Sequence, residues 1–300
     1  MRVGLMAERV LLALAGVIVL LAACASSGEE PIASASAAVE PSKSTAAEPS
    51  VDLEHPMGII AIGHSGLTGE GTGSLYEPVP ANSWATGGTR VVNSIYLRMV
   101  ALLPETEGHV ANTAVGGAPA ALLPSQAEQA LLRVPVPALA IVSTIDNDIT
   151  CDGGDTAHVP ALGRSVAEAL RVIHEASPNT KILVIGQLGR PSPEYVQELV
   201  AFDPAAKATV TFDSPCTFYD ADGNLNPAGF ELLTGIIEVY EAEQARVCSE
   251  VPNCQTDGGV RAAWIDRLDF MASDWAHLNL AGQTAEAENL WPVVSELLGM

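Results

Sequence analysis

The sequence predicts an α/β fold, a mostly parallel sheet with helices packed on both faces. Two features predict it. Short apolar runs rich in branched side chains recur at residues 59–62, 138–144 and 181–185, the pattern of strands buried on both faces. Between them lie segments whose apolar residues repeat at helical spacing, so the strands are joined by helical crossovers.

The composition fits one large domain with a tail. The chain has 300 residues, 48% of them apolar and only 17% charged, which excludes disorder throughout. Lys and Arg number 14 against 36 Asp and Glu. A chain this acidic is repelled by phosphate backbones, which argues against nucleic-acid binding, and it does not adhere to anionic lipid through charge.

The chain opens with Arg2 and Arg9, then an apolar run over residues 10–23. The run is too short to span a bilayer but suits a signal-peptide core. It ends Leu21-Ala22-Ala23-Cys24, which resembles a bacterial lipobox. Residues 1–23 therefore read as a signal peptide, and Cys24 as a lipidated mature N-terminus holding an exported protein on the outer side of the cytoplasmic membrane. The alternative is an ordinary signal peptide cleaved near the same place, with Cys24 incidental and the protein secreted. Residues 24–52 are Ser, Ala, Glu and Pro with few bulky apolar side chains, a composition that reads as a disordered tether. The folded domain is expected over 53–300.

Within it, the run 59–62 leads into Gly63, Ser65, Gly66 and Gly69, where the backbone can turn tightly. A helix is expected over 89–102, with Val92, Ile95, Tyr96 and Met99 on one face, then a short strand over 109–112. A helix over 125–133, the strand 138–144, a helix over 161–175 and the strand 181–185 follow. Residues 186–226 are less regular and read as an insertion over one sheet edge. There, Asp220 to Asn224 resembles part of a calcium loop, but Leu225 stands where that loop needs glycine and Pro227 intrudes. Asn226 as helix cap with Pro227 in the first turn is the better account, and no metal is expected. That helix should reach Arg246, a fifth strand is expected over 262–267, and the last helix over 281–298.

Besides Cys24, four cysteines remain, an even number in a chain read as exported. Cys248 and Cys254 flank a short, easily closed loop and are expected to pair. Cys151 and Cys216 then pair with each other and staple the insertion to the loop after the third strand. The acidic group Asp146, Asp148, Asp152 and Asp155 reads as a solvated loop.

Ser65, on a turn at the carboxyl end of a buried strand, is a candidate nucleophile. Asp274 and His277 are three residues apart and can meet on one local turn as orienting acid and base. The nucleophile elbow of α/β-hydrolases does not fit, because Leu67 stands where its second glycine belongs. The motifs together resemble the SGNH (GDSL-type) hydrolase family over most of residues 57–298. Gly63-His64-Ser65-Gly66-Leu67 is similar to its first motif and Asn112 with Gly117 to its second. Asp146-Asn147-Asp148 resembles its third, and Asp274-x-x-His277 followed by Leu278-Asn279-Leu280-Ala281-Gly282 its last.

This resemblance implies a flavodoxin-like three-layer α/β/α sandwich with a mostly parallel sheet of five strands. It implies Ser65 as nucleophile, His277 as base and Asp274 orienting it, without a cofactor. The oxyanion hole would comprise the backbone N–H groups of Ser65 and Gly117 and the Asn147 side-chain amide. Two departures stand out. His64 replaces the family's usual Asp and is expected to pack or hydrogen-bond rather than act as a second base. Ile145 replaces a glycine and is expected to tilt Asn147 or narrow the site. His55, His109, His158 and His174 lie outside the motifs and are expected at the surface or in structural roles. The expected activity is hydrolysis of a carboxylic ester of a sugar or lipid through an acyl-serine. The rivals are acyl transfer to a carbohydrate hydroxyl with the same triad, and a non-catalytic binding module. The oligomeric state is not legible.

Overall fold

The computed structural model describes residues 54–211, 214–263 and 267–300. The expected signal peptide, Cys24 and the tether lie outside the described residues. No helix among the described residues is long and apolar enough to cross a membrane.

Five strands form one parallel sheet in the order β2-β1-β3-β4-β5: β1 Ile59–Gly63, β2 Val110–Asn112, β3 Leu139–Ser143, β4 Lys181–Ile185 and β5 Cys254–Thr256. The described helices are α1 Ile95–Leu102, α2 Leu123–Leu131, α3 Asp155–Ala176, α4 Pro193–Phe202, α5 Ala206–Thr209, α6 Pro227–Ser249 and α7 Leu280–Leu298.

Alternation along the strands sorts side chains into two layers. Ile60, Ile62, Ala140, Val142, Ile182 and Val184 point into a core shared with α2, α3 and α6. Ile59, Ala61, Leu139, Ile141, Leu183 and Ile185 point the other way, against α1 and α7. Both faces are covered, so the three inner strands can be apolar at almost every position. The result is the expected three-layer α/β/α sandwich. The chain leaves β1 for β2 on one side and for β3 on the other. The loops after β1 and β3 thus meet at the switch point, where open α/β sheets bind ligands.

Four local expectations need correction. The first helix begins only at Ile95, capped by the Ser94 hydroxyl, which accepts the Leu97 N–H. Helix α3 starts at Asp155, a full turn before Pro160, which sits inside it. The fifth strand is 254–256, not 262–267; residues 261–263 form a turn and 264–266 lie outside the described residues. It is short and half-buried, so Cys254-Gln255-Thr256 carries no apolar run to reveal it. Asn226 precedes α6 as expected, but its side chain donates to the Thr217 carbonyl instead of capping the helix.

Both disulfides form as expected, Cys248 with Cys254 and Cys151 with Cys216. The second ties the 186–226 segment to the loop after β3. Asp220 accepts the N–H groups of Asp222 and Asn224 through one oxygen, an ordinary turn.

Candidate active site

The serine turn is shaped by backbone crowding at the end of β1. Gly63 has φ +144°, and a Cβ there would lie 1.9 Å from the Ser143 carbonyl oxygen, so only glycine fits. The buried Gln126 side chain clamps this residue, accepting its N–H at 2.7 Å and donating to its carbonyl at 2.9 Å.

His64 then caps the single 3₁₀ turn Ser65–Leu67: its Nδ1 accepts the Gly66 N–H at 3.2 Å. With Nδ1 accepting, Nε2 carries the proton, and it lies 3.1 Å from Ser143 Oγ and 3.3 Å from Asp146 Oδ2. Burial holds the His64 imidazole below its ordinary value of 6.5, against the opposing pull of Asp146. His64 is therefore a neutral hydrogen-bonding residue, as expected. Its Nδ1 does what a carboxylate oxygen would do at that position.

The loop before α7 carries Asp274 and His277. A bridge between Met271 and Leu278 closes the loop, with the Ala272 N–H donating to the His277 carbonyl at 2.8 Å. Asn279 caps α7 through its Oδ1 and ties back to the Asp269 and Met271 carbonyls through its amide. Inside the loop, Asp274 Oδ2 is 2.8 Å from His277 Nδ1. Its Oδ1 accepts the N–H groups of Ala276 and His277, each at 3.0 Å. Burial would raise this carboxyl, but the bonds from the His277 ring and the two N–H groups outweigh it and hold Asp274 below its ordinary value. An ionised carboxylate only accepts, so Nδ1 bears a proton; in the neutral imidazole, the form that can act as base, Nε2 offers its lone pair to the cleft.

The third group of residues comes from the loops after β2 and β3. Asn112 donates to the Leu67 carbonyl and to Thr86 Oγ1, both at 2.8 Å, fixing the serine turn to β2. Gly117 has φ +72°. Among the described residues, no protein acceptor takes the N–H of Ser65 or of Gly117. Asp148 accepts the Thr144 hydroxyl at 2.8 Å and the Ala120 N–H at 2.9 Å, which joins the β3 loop to the Gly117 loop. Asn147 Nδ2 reaches the Ala118 carbonyl at 3.3 Å across the same junction.

Ile145 adopts a backbone conformation that favours glycine. It sits at φ +106° with its side chain fully buried in the α2/α3/α6 core. For a β-branched residue this conformation costs on the order of 1–3 kcal/mol, offset here by packing. Ile145 itself points away from the cleft and does not narrow it.

Ser65, Gly117, Asn147 and His277 all line one cleft of about 760 Å³. The 186–226 segment supplies an apolar wall that includes Leu188, Val196, Leu199 and Phe218. Two arginines also line it, but Arg190 pairs with Glu241 and the buried Arg261 with Glu286 at 2.6 Å.

One site residue escaped the sequence reading. Glu70 is 6% exposed and lines the cleft, with Oε2 3.5 Å from His277 Nε2 and Oε1 accepting the Thr68 hydroxyl at 3.1 Å. A charged residue between glycines reads as solvated loop, and no spacing marks it. The acidic loop also needs correction. Asp155 is 2% exposed and accepts the N–H groups of Thr150 and Cys151, so it braces the start of α3. Asp152, Asp155 and His158 bring one ligand-type atom each within 4.8 Å of one another.

The sheet order, the three layers and the site loops gathered at the switch point are the α/β/α sandwich that the sequence motifs led us to expect. Among solved structures, the chain is similar to the lipase Lip_vut3 from a goat rumen metagenome, with TM-score 0.51 and 15% identity over 78% of this chain and 95% of that one. It is also similar to an extracellular lipase from Streptomyces rimosus (0.48, 16%, covering 80% and 99%) and to phospholipase A1 from Streptomyces albidoflavus (0.48, 12%, covering 81% and 99%). At these identities the likeness is one of fold. Neither a protein-family model nor a curated protein matches the sequence.

Proposed function

We propose that the protein is a serine-dependent carboxylic ester hydrolase. The observation that carries this reading is Ser65 and His277 lining one cleft, with the His277 ring oriented by Asp274 through Nδ1. Ser65 Oγ adds to the ester carbonyl carbon and its proton passes to His277 Nε2. The oxyanion is held by the N–H groups of Ser65 and Gly117 and by the Asn147 amide. Collapse breaks the bond to the alcohol oxygen, which leaves with the proton from Nε2. Water then repeats the sequence on the acyl-serine and releases the acid. The substrate is an acyl ester of a sugar or lipid alcohol, its acyl chain against the apolar wall of the 186–226 segment. The enzyme acts at the cell envelope, exported and held by lipid on Cys24.

The test is hydrolysis of p-nitrophenyl acetate, with free acid measured with and without a sugar acceptor, together with labelling by a fluorophosphonate. Hydrolysis by the wild type and labelling lost in Ser65→Ala support the reading. A folded wild-type protein that does neither overturns it, and acyl transfer to the sugar in place of acid release makes it a transferase. For the anchor, Cys24→Ser should move the protein from the membrane to the soluble fraction with esterase activity intact; unchanged fractionation refutes it.

A further inference from the structure

The structure gives unusual care to placing Glu70. Gly69 (φ +73°) and Gly71 (φ +86°) flank it in backbone conformations that favour glycine. A Cβ on Gly71 would lie 2.8 Å from His277 Cβ, so the Glu70 loop and the His277 loop touch through that glycine. A Cβ on Gly116 would lie 2.5 Å from Glu70 Oε1, so the second loop also leaves room for this carboxylate. Thr68 Oγ1 joins it to the serine turn, reaching both the Ser65 carbonyl at 2.8 Å and Glu70 Oε1 at 3.1 Å. A buried carboxylate is costly, and three glycines and a threonine are arranged to hold this one.

Its position assigns what it meets. Glu70 Oε2 is 3.5 Å from His277 Nε2, the atom that hands a proton to the departing alcohol. The leaving oxygen must come within hydrogen-bond reach of Nε2, so Glu70 borders the alcohol side of the ester rather than the acyl side. In the neutral imidazole that acts as base, with its proton on Nδ1 towards Asp274, Nε2 and Glu70 Oε2 are two acceptors facing each other. A substrate group carrying a hydrogen on oxygen fits between and beside them; an alkyl group or an anion does not. Elsewhere in the cleft, Gln187 Oε1 is a buried acceptor with no hydrogen-bond partner among the described residues. Arg190 and Arg261 are already paired with Glu241 and Glu286, which leaves an anionic alcohol poorly matched.

We propose that Glu70 is a specificity-determining residue that accepts a hydrogen bond from a free hydroxyl beside the scissile ester oxygen, selecting partially acylated polyols. The inference rests on the ester-hydrolase reading. It deepens that reading by choosing a hydroxylated, uncharged alcohol over an alkyl or anionic one.

Two isosteric esters test it: 2-hydroxyethyl acetate and propyl acetate differ only by a hydroxyl in place of a terminal methyl. The wild type should favour the first by about 10–100-fold in kcat/KM, the range for a hydrogen bond to a charged group. Glu70→Met keeps the length without the acceptor and should bring the two within about twofold, mainly through loss on 2-hydroxyethyl acetate. A wild type that cuts both esters equally overturns the proposal, whether or not Glu70→Met folds. Equal loss on both in a folded Glu70→Met protein also overturns it, and gives Glu70 a general electrostatic role instead. If p-nitrophenyl acetate is hydrolysed while the pair is not discriminated, only the role of Glu70 fails. If no ester is hydrolysed and Ser65 is not labelled, the hydrolase reading falls, and this inference with it.

Discussion

Asp274 holds His277 twice, accepting the ring Nδ1–H at 2.8 Å through one oxygen and the His277 backbone N–H at 3.0 Å through the other. Ring and backbone of the same residue are thus fixed to one carboxylate. Asp274→Asn should therefore disturb the tautomer and the loop together and lower kcat by about 10³–10⁴. Ser65→Ala and His277→Ala should each abolish most activity, with the double variant scarcely worse than either alone, because the groups act as one unit. Additive losses in single-turnover rates would show that they do not.

Asn147 closes the loop after β3 and already spends one amide N–H on the Ala118 carbonyl. Asn147→Ala should lower kcat by about 10²–10³, as for loss of one preorganised donor. Its melting temperature should stay close to wild type. A change of only a few-fold in kcat would remove Asn147 from the oxyanion hole.

The two disulfides close loops of very different length, with sequence separations of 65 and 6. In the chain-entropy account the longer stabilises by about 4 kcal/mol and the shorter by about 2 kcal/mol. Replacing Cys151 and Cys216 by Ala should thus shift the denaturant midpoint about twice as far as replacing Cys248 and Cys254. Equal shifts would place the stabilisation in local packing.

His64 makes stability depend on acid. Burial lowers its folded value below the 6.5 of the exposed side chain, so between the two the unfolded chain binds the extra proton. The contribution is fully present above pH 6.5 and is lost as the pH falls from there through the lowered folded value. His64→Asn keeps an acceptor for the Gly66 N–H without a titrating ring. Its melting temperature should fall less than that of the wild type between pH 7.5 and pH 5. Parallel curves would assign the acid sensitivity elsewhere.

Much of the fold was legible because β1, β3 and β4 are buried on both faces, and uninterrupted branched runs have few other uses in an α/β chain. Strand β5 was not, since Cys254-Gln255-Thr256 is held by pairing at a sheet edge and not by burial of its own side chains. The early start of α3 was hidden by Pro160, which reads as a boundary, while the buried Asp155 in its first turn bonds back to the N–H groups of Thr150 and Cys151 and so ties the preceding loop to the helix. Within the site, Asp274 and His277 announce themselves because their spacing is local. The acceptors around His64 and the carboxylate of Glu70 are brought in by loops distant in sequence, and no periodicity encodes them.

Ile145 turns the corner out of β3 in a conformation that its own side chain resists, held there because that side chain is locked among α2, α3 and α6. The corner is therefore only as firm as the layer beneath it. As that layer loosens on warming or in mild denaturant, Ile145 gains by swinging back to an ordinary backbone angle and carries Asn147 with it. Inactivation should thus run ahead of unfolding: the temperature at which turnover is half lost should lie below the midpoint seen by circular dichroism.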